Sequence, residues 1–160
     1  MNDVIKEFTI VREFDAPAAL VFKAWTDPKM VAQWWGPTGV FTPVCEVDAK
    51  VGGKIHIVME AGPDLGPAKG MQWPMDGEFV ELDEPKKIVF NANAINEGKV
   101  ILETQTIVTF DEENGKTTLK VHVIVTKVFP GSEYAIAGME GGFNSQFDKL
   151  VKFIKKWNKD

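Results

Sequence analysis

The chain has 160 residues, of which 44% are hydrophobic, enough to bury the core of one domain. A formal net charge of −5, without a long basic run, argues against nucleic acid as a partner. The single cysteine, Cys45, excludes an internal disulfide and cannot form a zinc site by itself, which favours a reducing, cytoplasmic compartment.

The sequence also gives no sign of a membrane segment. No apolar stretch approaches the roughly 20 residues that span a bilayer. Acidic residues interrupt the N-terminus where a signal peptide has an apolar run. We therefore expect neither membrane insertion nor export by a cleaved leader.

The N-terminal part of the chain predicts a strand followed by two short helices. EFTIVREF, residues 7–14, alternates apolar and polar side chains and is rich in β-branched and aromatic residues, as strands are. In DAPAALVFKAWTDPKMVAQWWGP, residues 15–37, Asp15 and Asp27 each stand shortly before a proline. This marks two helix starts, because aspartate caps free amides and proline suits a first turn. The Gly-Pro pair stops the second helix.

Two adjacent tryptophans, Trp34 and Trp35, precede that Gly-Pro pair. Successive side chains on a helix point about 100° apart, so the two rings cannot both seal the same core. We expect one ring to anchor the small helices on a sheet and the other to border an opening.

From residue 40 onward the pattern changes to alternation with turn residues between the runs, which predicts a series of antiparallel strands. The connector 61–74 is long, rich in glycine and proline, and holds Trp73. It is either a loop that acts as a lid or a disordered excursion. The candidate strands are residues 40–47, 54–60, 76–82, 87–94, 102–110 and 117–127.

The last segment, MEGGFNSQFDKLVKFIKKWNKD (residues 139–160), predicts one long helix. Its apolar residues recur at helical spacing, and its lysines lie on the opposite side. Gly138, Gly141 and Gly142 either leave room for a pocket beside the helix or only form the turn into it. Strand, small helices, strands and long helix make an α+β order.

These motifs together resemble one family. FDAPAALVFKAWTDPKMVAQWWGP, DAKVGGKIHIVM, GEFVELDEPKKIVF and TIVTFDEENGKTTLKV occur in the order found in the START-like, helix-grip superfamily, also called SRPBCC. Within it, they are most similar to the group named after the C-terminal domain of the activator of the heat-shock ATPase. The resemblance implies a single domain over residues 1–160, in which a curved antiparallel sheet of about six to seven strands wraps around the C-terminal helix. It also implies an apolar cavity between sheet and helix that the two small helices close.

The sequence departs from that family's pattern at two places. Lys50 and Val51 stand where Arg-Pro is common, and Phe143 stands where tryptophan is common in the last helix. These differences weaken any transfer of a detailed ligand preference to this chain.

The histidines and the cysteine offer little catalytic chemistry. Alternation places His56 and His122 opposite the apolar residues of their strands, so we expect both to face outward. Cys45 has no readable neighbour that would lower its pKa, and we expect a small buried hydrophobe. No His, Cys or Glu group has the spacing of metal ligands, and no phosphate-binding or nucleophile motif occurs, so we expect no metal and no cofactor.

Among the carboxylates, Glu81 is the best acid/base candidate. By alternation it shares the face of Phe79, which would point it inward. The alternative is a surface carboxylate that pairs with a lysine, since buried unpaired carboxylates are rare. Asp76, Thr104 and Thr106 are further candidates for an inward polar group.

The remaining candidate site is aromatic and sulfur-rich. Such a lining suits an apolar guest, because methionine adapts its shape and aromatic rings offer large contact areas. The alternative is that most of these residues simply fill the core. Trp73 and Met75 would lie on the long loop at the mouth, together with Trp34 or Trp35. The predicted cavity residues are Trp25, Trp34, Trp35, Ile57, Met59, Trp73, Met75, Phe79, Phe90, Met139, Phe143 and Phe147.

Three functions are therefore considered, in order of preference. The first is binding of a hydrophobic or amphipathic small molecule without catalysis. The second is an enzyme or resistance protein that acts on a polyketide-like aromatic compound, which requires an inward polar group. The third is a co-chaperone that stimulates a heat-shock ATPase, although the family name comes from a larger protein with a further domain. An exposed edge strand beside the long loop would allow two copies to pair as a homodimer.

Overall fold

The computed structural model describes residues 6–157, except for the side chain of Tyr134. None of the described helices has both the length and the apolar character needed to cross a membrane. The described part forms the predicted α+β helix-grip fold. Its strands are β1 (Lys6–Phe14), β2 (Val40–Val47), β3 (Lys54–Ala61), β4 (Gln72–Asp83), β5 (Lys87–Asn96), β6 (Lys99–Glu113) and β7 (Lys116–Val128). Its helices are α1 (Ala18–Thr26), α2 (Pro28–Trp34) and α3 (Glu133–Trp157), and a short 3₁₀ segment spans Pro63–Ala68.

The seven strands form one antiparallel sheet in the order β1-β7-β6-β5-β4-β3-β2. Strands β2 to β7 follow one another as a meander, and β1 pairs with β7, so β1 and β2 are the two edges. One face of the sheet, called the inner face here, carries the core. One cross-strand row on this inner face consists of Ile10, Val121, Val108, Ile88 and Leu82.

The predicted long loop is shorter than expected. The prediction of a connector over 61–74 is wrong at its end, because β4 begins at Gln72 and includes both Trp73 and Met75. In the register between β3 and β4, Trp73 lies opposite Met59. This apolar cross-strand pair continues the sheet through a stretch whose glycine and proline content had favoured a loop.

Local sequence explains the start of α2 better than the start of α1. Asp27 caps α2 as predicted, because the N–H of Lys29 donates to its Oδ1 at 2.9 Å. At α1 the N-cap position is Pro17, and the Ala18 N–H donates to Glu112 Oε1 of β6 at 2.7 Å. The carboxylate that accepts this bond belongs to a strand distant in sequence. A local sequence pattern therefore cannot predict it.

Helix α3 begins at Glu133, earlier than the predicted helix over 139–160. The Ile136 N–H donates to the carbonyl oxygen of Ser132 at 2.9 Å and so starts the helical hydrogen bonding. The alternative in which the three glycines form the turn into the helix is therefore wrong, because all three lie inside it. Residues 158–160 of the predicted helix lie outside the described residues.

The two halves of α3 differ in burial. Residues 133–145 contain no buried side chain among those that the structure describes. At each of the three glycines in this half, an added Cβ would meet no atom within 4 Å. The first half is therefore loosely packed. The second half, residues 146–157, brings four side chains into the core: Gln146, Phe147, Leu150 and Ile154.

Polar contacts hold α3 to both sides of the molecule. On the β1 side, Arg12 donates to Asn144 Oδ1 at 3.0 Å. On the other side, the Gly36 N–H donates to Gln146 Oε1 at 2.8 Å, and Lys149 Nζ donates to the Gly36 carbonyl oxygen at 3.0 Å. Burial lowers the pKa of Lys149 from its usual value. Helix α3 thereby bridges from the edge strand β1 to the turn that precedes the other edge strand, β2.

Candidate apolar binding site

An apolar cavity of about 20 Å³ lies between the inner face of the sheet and the two small helices. Every side chain in its lining is a hydrocarbon, an aromatic ring or a thioether. Six predicted cavity residues are part of the lining, which consists of Trp25, Val31, Trp35, Val47, Ile55, Ile57, Met75, Phe79, Ile88 and Phe90.

The cavity is small and lies beneath the two small helices. A cavity of roughly 10–15 Å³ already holds one water molecule. At about 20 Å³ the space is smaller than an organic molecule, so it would have to enlarge to hold one. None of the lining residues belongs to α3. Where α3 meets the small helices, the rings of Trp25, Trp34 and Phe147 pack against one another.

Trp25 is the centre of the aromatic cluster around the cavity. Its ring centroid lies 4.8 Å from Trp34, 5.8 Å from Phe147, and 6.5 Å from both Trp35 and Phe90. The planes of Trp25 and Trp35 meet at 89°, an edge-to-face arrangement. Such aromatic pairs contribute about 0.5–1.5 kcal/mol beyond their burial. The cluster therefore joins all three helices to β5.

Both tryptophans of the adjacent pair are buried, and the prediction that one anchors the small helices while the other borders an opening holds in part, because Trp35 lines the cavity and Trp34 does not. Trp34 is 0% exposed and Trp35 is 8% exposed. The prediction assumed helical geometry for both, but α2 ends at Trp34, and Trp35 has an extended backbone with φ −68° and ψ 136°. Trp34 Nε1 donates to the carbonyl oxygen of Ala24 at 2.9 Å, whereas Trp35 lines the cavity.

The other six predicted cavity residues lie elsewhere. Trp34 and Phe147 are fully buried in the core. The remaining four belong to the pair across β3 and β4 and to the first half of α3. They are half-buried: Met59, Trp73, Met139 and Phe143.

Glu81 is displaced from the inner face by a β-bulge. The register between β4 and β5 shifts between Phe79 and Glu81, so that Leu82 lies opposite the inner-face residue Ile88. Glu81 is exposed, and its Oε1 lies 3.5 Å from Lys87 Nζ. The inward orientation predicted from strict alternation is therefore wrong, because a bulge inserts an extra residue into one strand and changes the phase.

The two threonines considered as polar cavity groups lie on the inner face of β6, opposite Val125 and Val123. Thr106 is buried. Thr104 is half-buried, and its Oγ1 donates to the carbonyl oxygen of Ala92 at 3.3 Å. Neither threonine lines the cavity beneath the small helices.

The titratable candidates lie away from the cavity. Both histidines are on the outer face, as predicted: His56 Nδ1 lies 2.5 Å from Asp76 Oδ1, and His122 Nε2 lies 3.3 Å from Glu7 Oε2. Cys45 is half-buried against the core, and burial raises its pKa to about 11, so its thiol is protonated at neutral pH. Among residues 6–157, no group of three or more His, Cys, Asp or Glu side chains could hold a metal ion.

Four residues of the lining had not been singled out from the sequence. Strand alternation contains a signal for three of them, because Val47 and Ile55 lie opposite each other on the face of Ile57, and Ile88 is in phase with Phe90. The signal was missed because an aliphatic side chain at a core position looks the same whether or not it borders a gap. The fourth is Val31 of α2.

The helix-grip fold, with an apolar interior beneath its small helices, defines the class of this protein. Residues 15–155 match the family described as "Activator of Hsp90 ATPase homolog 1-like protein". The chain belongs to this family. A sequence comparison with curated proteins gives no match.

Solved structures with the same fold come from several bacteria. A protein from Nitrosomonas europaea superposes with a TM-score of 0.76 at 18% identity, covering 100% of this chain and 99% of its own. A protein from Arthrobacter aurescens gives 0.79 at 23% identity, covering 94% and 86%. The AHSA1 protein from Silicibacter pomeroyi gives 0.74 at 21% identity, covering 92% and 96%. These similarities establish a shared fold.

Proposed function

We propose that the chain binds a small hydrophobic or amphipathic molecule in the apolar cavity, which enlarges as the molecule binds. The observation that supports this proposal is a gap lined only by apolar side chains, contributed by both the sheet and the small helices. Burial of apolar surface favours binding by roughly 25 cal/mol per Å² and requires no charged group. Binding sites for small molecules are mostly apolar for this reason.

The cavity is expected to enlarge towards a row of small side chains beside it. Gly77, Ala92 and Thr104 are cross-strand neighbours on the inner face. Gly77 lies two residues after the lining residue Met75 on β4, and Ala92 lies two residues after the lining residue Phe90 on β5. Methionine changes its shape at low cost, so Met75 can adapt to a guest. We expect the body of the ligand to lie over this row of small residues.

The edge strand β2 is the expected entrance. Val47 is half-buried, whereas the other lining residues are buried. In the part of the chain that the structure describes, strand β2 pairs with β3 on one side only. Fewer hydrogen bonds therefore oppose its movement than oppose the movement of a central strand.

A titration with indane, a bicyclic hydrocarbon, tests this function. Saturable shifts of the backbone amide resonances of Ile57, Met75 and Phe90 are expected in NMR spectra of the natural chain. Val47→Phe adds a ring at the entrance and is expected to weaken binding by about tenfold or more. Val44→Phe is the matched control, because Val44 is equally half-buried on the opposite face of the same strand.

Two results of that titration would contradict the proposal. The first is the absence of saturable shifts in the natural chain. The second is an equal loss of indane binding in both variants, which would point to general destabilisation of β2. Denaturation curves of both variants show whether they fold with similar stability.

The family description supports a second candidate, because it names an activator of Hsp90 ATPase. In this proposal the chain binds a heat-shock ATPase and changes its rate of hydrolysis. Measuring ATP turnover by purified Hsp90 with increasing amounts of the chain tests it, and a constant rate would rule it out. Catalysis on a polyketide-like aromatic compound has less support, because the described residues of the cavity lining include no acid or base.

A further inference from the structure

The indole N–H of Trp25 stands out among the polar groups of the core. The Trp25 ring lines the cavity and is 5% exposed. Its Nε1 is buried without a hydrogen-bond acceptor among the described residues. The neighbouring Trp34 differs, because its Nε1 donates to the Ala24 carbonyl oxygen. Two indoles with centroids 4.8 Å apart thus share one core, and only one of them has its N–H paired within the described chain.

An unpaired buried donor on a ring that lines a cavity suggests which chemical group a ligand in that cavity would offer it. Most buried polar groups in native structures are hydrogen-bonded, because burial removes their bonds to water. An indole nitrogen only donates, so its partner must be an acceptor. Gln146 Nε2 is the other buried side-chain donor without an acceptor in the described residues, but Gln146 does not line the cavity.

We infer that the cavity selects neutral molecules with an acceptor oxygen on an apolar skeleton, such as a ketone, ether or ester, and that Trp25 Nε1 donates to this oxygen. This inference rests on the proposed function and names its ligand class. The cavity of about 20 Å³ is large enough for an oxygen-sized group next to the ring.

The lining of the cavity also indicates that the ligand is uncharged. Within residues 6–157, no lysine, arginine or histidine borders the cavity. A carboxylate would therefore lose its hydration without gaining a counter-charge, which opposes its burial. Ionised fatty acids are expected to bind more weakly than neutral oxygenated compounds of the same size.

A pair of probes with one skeleton tests the inference. Indane is a hydrocarbon, and 1-indanone is the same bicycle with one carbonyl oxygen. The natural chain is expected to bind 1-indanone about three- to tenfold more tightly than indane. In NMR spectra, 1-indanone is expected to move the indole N–H resonance of Trp25 and to leave that of Trp34 nearly in place.

Two variants separate the donor from the ring. Trp25→Phe keeps an aromatic ring and removes the N–H, so the affinity ratio between 1-indanone and indane is expected to fall to about one. Trp34→Phe removes the other indole N–H and is expected to keep the preference for the ketone. If Trp25→Phe does not fold, the shift of the Trp25 indole resonance in the natural chain still tests whether Trp25 Nε1 donates to the ketone.

The outcomes distinguish this inference from the proposed function. Equal affinities for the two probes, with an unmoved Trp25 indole resonance, would overturn the inference and leave the proposed function standing. If neither probe binds, the proposed function fails and the inference falls with it. Preference for 1-indanone with a shifted Trp25 resonance supports both.

Discussion

The two halves of α3 share one secondary structure but pack differently. In residues 146–157, Phe147, Leu150 and Ile154 are buried in the core. In residues 133–145, no described side chain is buried, and three positions are glycine. Each glycine inside a helix costs about 1 kcal/mol relative to alanine. The second half therefore stabilises the fold, and the first half is the part of the helix that can move at low cost.

The largest expected effect is the loss of a ring from the second half. Phe147 is 0% exposed and contacts the Trp25 ring at 5.8 Å. Phe147→Ala is expected to lower the free energy of unfolding by about 3–5 kcal/mol. Phe143→Ala, one turn earlier and half-buried, is expected to cost less than half as much. Urea denaturation of both variants measures the difference, and equal losses would contradict the division of the helix.

The next effect concerns the junction between the halves. Gln146→Ala leaves the buried N–H of Gly36 without its acceptor, because Gln146 Oε1 accepts that bond at 2.8 Å. We expect a loss of about 1–3 kcal/mol. Ser145→Ala is the control. It removes an exposed bond, from the Thr38 N–H at 2.9 Å, and water can replace the acceptor there. Comparable losses in the two variants would indicate that burial at this junction is unimportant.

A stabilising change is expected in the first half. Gly138→Ala and Gly141→Ala should each raise the free energy of unfolding by about 0.5–1 kcal/mol, because the helix gains propensity and the new methyl groups meet no atom within 4 Å. Hydrogen exchange of amides 136–145 should slow as well. Gly77→Ala is the opposite control, since its Cβ would collide with the carbonyl oxygen of Asn91. Destabilisation by the helix substitutions would show that the first half is tightly packed.

A pH-dependent effect is expected outside α3, at Cys45 of β2. Burial raises the Cys45 pKa from 9.0 to about 11, so the folded state holds the thiol proton more tightly than the unfolded state does. The contribution of this group is constant below pH 9 and is lost as the pH rises from 9 towards 11. In Cys45→Ala, the urea midpoint should fall less between pH 8 and pH 10 than in the natural chain. An identical fall of the urea midpoint in both proteins would mean that groups other than Cys45 cause the pH dependence.

Strand phases were predictable from the sequence because alternation is a local property. The outward orientation of both histidines and the paired inner-face residues follow from it. Alternation failed at Glu81, where the pairing of β4 with β5 contains a bulge. Alternation also cannot predict the hydrogen bond between Glu112 and the start of α1, because that bond joins positions 94 residues apart.

The order of the elements, the family and the apolar character of the interior could all be predicted from the sequence. These depend on residue types at short spacing along the chain. Three features required the folded arrangement: the burial of both adjacent tryptophans, the position of the cavity beneath α1 and α2, and the Trp25 N–H, which lacks an acceptor among the described residues where the Trp34 N–H has one. Each of these depends on how rings from three helices and a strand fit together, because the space between packed side chains belongs to no single segment.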